Sequence, residues 1–374
     1  MAGIYIHIPY CKKACIYCDF HFSTTLKNKN ELLSSLAKEL RLRKDYLEGE
    51  VIETIYFGGG TPSILSAGEI EALLHEINQL HLVKGNVEIT LEANPDDLNP
   101  KYLEQLKRSG INRLSIGLQS FEEDELKWMN RAHTAMESEA SVKAAQDAGF
   151  GNISIDLIYG SKFQTPEIWE HNLEKAFALN VQHISAYNLT VEEKTILGNL
   201  VHKGKEKEVS ELSSSAYFEQ LIKEASKNDF IHYEISNFCR EGFYSRHNSS
   251  YWRGKKYMGI GPSAHSYNSN SRQWNIKNNA LYIRSLNEDK LNFELEQLTV
   301  EQHYNEYLLT TLRTIWGAEL AFITSGFGIG YAEHCMAEAQ KYIDSGHLVY
   351  RENKLILSDK GKLLADRIAS DLFI

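Results

Sequence analysis

The chain has 374 residues, 43% of them hydrophobic and 24% charged, which is the composition of a globular protein and excludes a disordered or fibrous one. Its 40 basic residues face 50 acidic ones, and the net charge of −10 works against nucleic acid as the main ligand. The length exceeds one small core and fits one large α/β domain with appendages, or two domains.

No apolar run approaches the roughly 18 residues that cross a bilayer, so no membrane span is expected, although a peripheral contact stays open. The N-terminus has no charged flank or cleavage site of a signal peptide, and a cytoplasmic location is expected. Of the five cysteines, Cys11, Cys15 and Cys18 crowd into the stretch CKKACIYCDF, while Cys239 and Cys335 stand apart and read as small buried hydrophobes.

Short β-branched runs alternate with amphipathic ones through the first half. Gly3–Ile8, Val51–Phe57, Val87–Ala93, Arg113–Gln119, Asn152–Gly160 and His183–Leu189 read as strands, separated by helical stretches such as ELLSSLAKELRLRKDYL and PEIWEHNLEKAFALN. Strand then helix, repeated six times, predicts a parallel sheet under covering helices: an α/β fold, a partial (β/α)6 barrel two units short of the closed eight-stranded TIM barrel. Residues 1–200 form this core. Residues 201–297 complete the barrel and supply an aromatic and histidine-rich connection, with HKGKEKEVSE, His202 to Glu211, as a solvated loop. Residues 298–374 make a small C-terminal helical domain, winged if the pair HLVYREN and KLILSDKG forms a hairpin beside its helices.

In such folds chemistry gathers at the C-terminal ends of the strands. The polar and glycine residues fall there: the cysteines after the first strand, Gly58-Gly59-Gly60-Thr61-Pro62 after the second, Glu92 and Asn94 at the third, Gln119 at the fourth, Asp156 and Tyr159 in the fifth, Tyr187 and Asn188 in the sixth. Cys-x3-Cys-x2-Cys can surround one metal centre. A structural zinc site takes four protein ligands, and no second cysteine pair exists here. A four-iron cubane also takes four, so three thiolates leave one iron for a small molecule with amino and carboxylate groups. The glycine run lets a ligand lie along the strand edge, or is simply a turn.

Taken together, these residues resemble the radical S-adenosylmethionine enzymes, whose signature is the Cys-x3-Cys-x2-Cys loop followed by a GGGTP-type motif. YIHIPYCKKACIYCDF, YFGGGTPSIL, LEANPDDL, RLSIGLQSF, MNRAHT and ISIDLIYG are similar, in order, to the blocks of the oxygen-independent coproporphyrinogen III oxidase family. The resemblance implies that Cys11, Cys15 and Cys18 ligate a 4Fe-4S cluster and that the open iron takes the methionine part of S-adenosylmethionine. It also implies that Tyr5 and Tyr17 flank that cofactor, that Gly59, Gly60 and Thr61 contact its amino and carboxylate ends, and that Glu92, Gln119, Arg131 and Asp156 line the nucleoside sites. By themselves these polar residues also fit satisfied strand-end hydrogen bonders. An electron donor for the cluster is a further implied partner.

The oxidase proper has a fourth cysteine two residues after the third, where this chain has Phe20, and a longer extension before its first strand. Both departures resemble the sister branch of haem chaperones, which implies haem or porphyrin as cargo and a haem-acceptor protein as partner. RHNSSYW, Arg246 to Trp252, is similar to that branch's His-Asn-x-x-Tyr-Trp pattern, with His247 as a haem ligand and Tyr251 and Trp252 as flat apolar faces; a packed, hydrogen-bonded histidine is the other reading. His265 is a second histidine candidate, and a place on the cofactor side of the barrel fits it equally. Radical decarboxylation of coproporphyrinogen III, or another tetrapyrrole reaction, is the alternative function.

Overall fold

A computed structural model describes residues 1–207 and 210–374 of the chain; part of the expected loop from His202 to Glu211 lies outside them. Six strands run parallel: β1 (Ala2–Ile8), β2 (Ile52–Gly59), β3 (Val83–Ala93), β4 (Arg113–Gln119), β5 (Ile153–Tyr159) and β6 (His183–Asn188). Further strands follow: β7 (Ile231–Glu234), β8 (Asn237–Cys239), β9 (Tyr257–Ile260), β10 (His265–Tyr267), β11 (Ser271–Asn275) and β12 (Phe293–Gln297). The helices over this stretch are α1 (Lys29–Leu42), α2 (Ala67–Leu80), α3 (Pro100–Arg108), α4 (Glu123–Trp128), α5 (Ala135–Asp147), α6 (Pro166–Ala178), α7 (Ile196–His202), α8 (Glu211–Lys227), α9 (Arg246–Trp252) and α10 (Asn279–Asn287).

All twelve strands form one sheet in the order β12-β11-β10-β9-β1-β2-β3-β4-β5-β6-β8-β7, which does not return on itself. The open barrel expected from the repeat is therefore present, and it is longer at both edges than six units. β9 joins β1 in parallel, and β10 to β12 follow as antiparallel strands. Strand alternation decides what faces where. On β1, Ile4, Ile6 and Ile8 are fully buried in the main core with Phe57, Leu91, Ile116 and Ile155, while Tyr5 and His7 turn to the concave side, beside Tyr56 and Gly58 of β2. Helix starts are fixed by reciprocal caps: Ser66 with Glu69 at α2 and Thr134 with Glu137 at α5.

The C-terminal part contains α11 (Val300–Leu312), α12 (Leu320–Phe327), α13 (Ile329–Asp344), α14 (Asp359–Lys362) and α15 (Ala365–Asp371). With them goes a three-stranded antiparallel sheet of β13 (Ala318–Glu319), β14 (Leu348–Arg351) and β15 (Lys354–Leu357). Its apolar residues make a separate core of Tyr304, Leu308, Ile323, Cys335, Leu355 and Ile368. Cys239 and Cys335 are both fully buried, as small hydrophobes are.

Candidate functional site

The loop between β1 and α1 carries the three cysteines, and its hydrogen bonds show how it is held. Its base is closed by Cys11 N–H to Ser23 O at 3.0 Å and Ser23 N–H to Pro9 O at 2.9 Å. Its tip is gripped from the segment after α4: Ile16 N–H donates to Met129 O at 3.2 Å, and the Asn130 amide donates to Ala14 O at 2.8 Å. The Lys12 ammonium donates to Asp96 at 2.6 Å, on the turn after β3. The three cysteines are unpaired and half-buried. Burial pushes the Cys18 thiol up to about 11 and raises Cys11 as well, against a hydrogen bond from Thr61.

These thiols border a cleft of about 460 Å³ at the C-terminal ends of the strands, within the size range of small-molecule sites. Tyr17, Gly59, Gly60, Thr61, Glu92, Gln119, Arg131 and Asp156 all line it. Tyr5 does not. Alternation puts it one layer lower, where its hydroxyl meets His7 Nδ1 at 3.1 Å and its ring stacks on Tyr56 at 6.0 Å. Tyr5, expected beside the cofactor, is therefore not part of this cleft's wall.

Arg131 ties three elements together. One guanidinium nitrogen reaches Cys15 Sγ at 3.3 Å, and the other donates to Asn94 Oδ1 at 2.7 Å and Gly117 O at 2.9 Å. Glu92 accepts from the Tyr56 hydroxyl at 2.8 Å and from Gly59 N–H at 3.1 Å. Even so, burial, with Asp156 nearby, raises Glu92 to about 7. Burial likewise raises Asp156 to about 6, against the Arg113 charge and hydrogen bonds from Ser185 and Ser115. The glycines have reasons of their own: Gly59 has φ +110°, and a Cβ there would lie 2.5 Å from the His7 ring; at Gly60 one would lie 2.7 Å from Tyr10 O. Close crossing of β1 and β2 demands them, and it leaves their edge bare toward the cleft.

The donor set fits a cluster and its nucleoside ligand. Gln119 Oε1 and Arg131 Nε are buried without a partner among the described residues, where a polar ligand would satisfy them. No three His, Cys, Asp or Glu side chains among the described residues converge on a single-ion site. Three thiols on one loop supply three of the four ligands that a 4Fe-4S cluster takes. Several lining residues were absent from the expected set: Ser115, Gly117 and Ile158. The signal for them was strand period two, since Ser115, Gly117 and Gln119 share one face of β4 and Asp156 and Ile158 one face of β5.

The histidine motif lies at the opposite end of the barrel. α9 plugs the interior near the start of β1 and β2, and His247 is 1% exposed. Its Nδ1 meets Thr54 Oγ1 at 2.8 Å, its Nε2 meets the Tyr251 hydroxyl at 2.5 Å, and its ring stacks on Tyr56 at 4.9 Å. Burial lowers its pKa to about 3. Glu88 accepts from the N–H groups of Arg246 and His247 at 3.2 and 3.0 Å. Trp252 lies under the Arg313 guanidinium at 5.7 Å. Both His247 imidazole nitrogens are thus engaged within the core, while Tyr251 and Trp252, expected with it to meet haem, are partly exposed.

The Radical SAM superfamily pattern matches residues 5–176. The heme chaperone HemW of Bacillus subtilis is 32% identical over 371 residues, which is 98% of this chain and 98% of that one. This chain belongs to the HemW family of radical SAM proteins. HemW of Lactococcus lactis is 33% identical over 366 residues, 97% of this chain and 95% of that protein. Among solved structures, coproporphyrinogen III oxidase HemN from Escherichia coli covers 100% of this HemW-family chain and 90% of its own, with a TM-score of 0.85 at 22% identity. That match shows the shared fold: the open barrel with its C-terminal helical region. No described helix is long and apolar enough to cross a membrane.

Proposed function

We propose that this protein is a haem chaperone that binds haem and passes it to an acceptor protein, with a 4Fe-4S cluster and S-adenosylmethionine held in the cleft. The observation that carries this reading is end-to-end similarity to chaperones, at 32% identity over 98% of both chains. Phe20, where the oxidase has its extra cysteine, accords with it.

In this reading Cys11, Cys15 and Cys18 hold the cluster, and Arg131 fixes the loop that bears them by binding Cys15, Asn94 and Gly117 O together. The bare edge of Gly59 and Gly60, with Thr61, receives the amino and carboxylate ends of S-adenosylmethionine. Glu92, Gln119, Asp156 and Tyr17 enclose its nucleoside and exclude water. Bound together, cluster and cofactor supply one-electron cleavage of a sulfonium C–S bond. An electron donor and a haem acceptor complete the set of partners, neither identified by class from this site.

One observation favours a second reading. The cleft keeps unpaired buried groups, Gln119 Oε1 and Arg131 Nε, as a working radical site on a tetrapyrrole would. One sample separates the two: protein reconstituted anaerobically with iron and sulfide, titrated with haemin, mixed with an apo-haem protein, and assayed with coproporphyrinogen III. The chaperone reading expects haem uptake and transfer with no protoporphyrinogen IX. Formation of protoporphyrinogen IX, or no uptake of haem, overturns it.

A further inference from the structure

Arg113, the first residue of β4, is 1% exposed and among the largest fully buried side chains of the protein. The other buried arginine, Arg43, is paired with Glu39 at 3.1 Å. Arg113 forms no such pair among the described residues, and its Nε has no hydrogen-bond partner. A guanidinium stays charged at any pH a folded protein meets, and a buried charge is costly unless an opposite charge answers it. Strand alternation sets Arg113 on the same face of β4 as Ser115, Gly117 and Gln119, which line the cleft. In the ladder it is opposite Thr90 of β3, while Glu92, the next residue on that face, is opposite Ser115. Arg113 is therefore rooted one step below the row that carries Glu92, and Ser115 Oγ in that row donates to Asp156 at 3.3 Å.

The groups around it leave few choices of counter-charge. His183 meets Ser154 Oγ at 2.7 Å through Nδ1 and the Tyr233 hydroxyl at 2.8 Å through Nε2. Burial, then the Arg113 charge, hold it neutral, as they do His247. Glu88 is committed to the N–H groups at the start of α9. Two acids remain, on the cleft side. Glu92 and Asp156 have only neutral donors: Tyr56 and Gly59 for the first, Ser115 for the second. The Arg113 charge acts on both, against the burial that raises them. Their other ionisable neighbours carry no charge at neutral pH in the metal-free protein, since burial raises Tyr5, Tyr56, Tyr187, Tyr251 and Cys11. Arg131 also acts on Asp156, but its guanidinium is given to Cys15, Asn94 and Gly117 O.

The charge state of these two carboxyls decides what the cleft floor can do. An ionised carboxylate accepts hydrogen bonds at both oxygens, whereas a protonated one turns part of that capacity into a donor. The nucleoside half of S-adenosylmethionine brings ribose hydroxyls, and its sulfonium brings a positive charge, so the floor serves it as a pair of anions. Two buried carboxyls oppose that state, because burial and the charge of Asp156 both raise Glu92. A fixed cation beneath them answers both charges and takes no space from the ligand.

We propose that Arg113 is a positioning residue of the cleft: seated beneath the floor, it supplies the counter-charge that keeps Glu92 and Asp156 anionic toward the ribose and sulfonium of S-adenosylmethionine. The proposal rests on the reading of the cleft as that cofactor's site. Two measurements on the full-length chain test it. In metal-free protein the buried carboxyl bands are titrated by infrared spectroscopy and assigned with Glu92→Gln and Asp156→Asn. Their midpoints should move upward by about one pH unit in Arg113→Met. In anaerobically reconstituted protein, Arg113→Met should bind S-adenosylmethionine about tenfold more weakly at neutral pH. Its affinity should recover as pH rises past the displaced midpoints, with iron per protein unchanged. Arg113→Lys keeps the charge and should keep the wild-type pH profile, and Arg113→Gln, polar but neutral, should repeat the displacement seen with Met. An arginine that only fills space would leave midpoints and profile in place in both neutral variants, and that result overturns the proposal while the cofactor reading stands. If the reconstituted wild type binds no S-adenosylmethionine, the cofactor reading falls, and this proposal with it.

Discussion

The two ends of the barrel are built from the same residue types and do opposite things with them. At the C-terminal end, thiols, carboxylates, Gln119 and Arg131 border a cleft, and Gln119 Oε1 and Arg131 Nε have no partner. At the N-terminal end, His247 is enclosed by Thr54, Tyr251, Tyr56 and the helix start held by Glu88. A histidine beside tyrosines reads as a ligand in one setting and as core in the other. The difference lies at the histidine itself: both His247 ring nitrogens are partnered, although Ser249 Oγ and Trp252 Nε1 of the same helix are not, while at the cleft the open atoms belong to side chains that line it.

The sharpest test of that contrast is at the cysteines. Replacing Cys15 by Ala should abolish cluster loading, read as iron per protein after reconstitution, while changing the stability of the metal-free chain by less than about 1 kcal/mol. His247→Ala should do the reverse. Deleting a buried ring and stranding Tyr251 should cost about 2–4 kcal/mol in urea unfolding, with cluster loading kept in the folded fraction. A His247→Ala protein of wild-type stability that fails to bind haem would erase the distinction between the two ends.

Glu92 should give a pH signature in the metal-free protein. A carboxyl raised on folding from its ordinary value near 4.5 to about 7 holds its proton more tightly in the folded state. Its contribution is fully present below the unfolded value and is lost as pH climbs through about 7, because the folded protein must then bury a charge. The loss should approach about 3 kcal/mol across that interval. The stability difference between wild type and Glu92→Gln, measured by urea titration at several pH values, should follow that curve; a difference independent of pH contradicts it. Arg131→Lys cannot bridge Cys15, Asn94 and Gly117 O at once, so it should lose cluster to a chelator several-fold faster and cost about 1–2 kcal/mol. Phe20→Ala, at an exposed ring, should change stability by no more than about 0.5 kcal/mol.

Much of the cleft was legible in advance because it follows from two local rules. Strand alternation sets the face, and position at the strand's C-terminal end sets the height, so Glu92, Gln119 and Asp156 could be placed from the primary structure. Ser115 and Gly117 obey the same rules and went unmarked because neither residue type advertises chemistry. Tyr5 satisfies the face rule and does not line the cleft. From Ile231 to Gln297 the pattern failed for a different reason: strands of three to five residues are too short to display a period.

By itself, then, the order of residues determined the strand–helix repeat, the open parallel sheet, the cysteine loop and the family to which this chain belongs. Those features depend on periodicity and on neighbours within a few positions. Only the tertiary structure decided which histidine is closed and which is open. His247 is sealed by Thr54 and Glu88, 193 and 159 residues away, and His265 is held out by Arg43 acting on its strand from 223 residues away at Ser266. Burial at such separations is a property of packing across the sheet, and no local pattern records it.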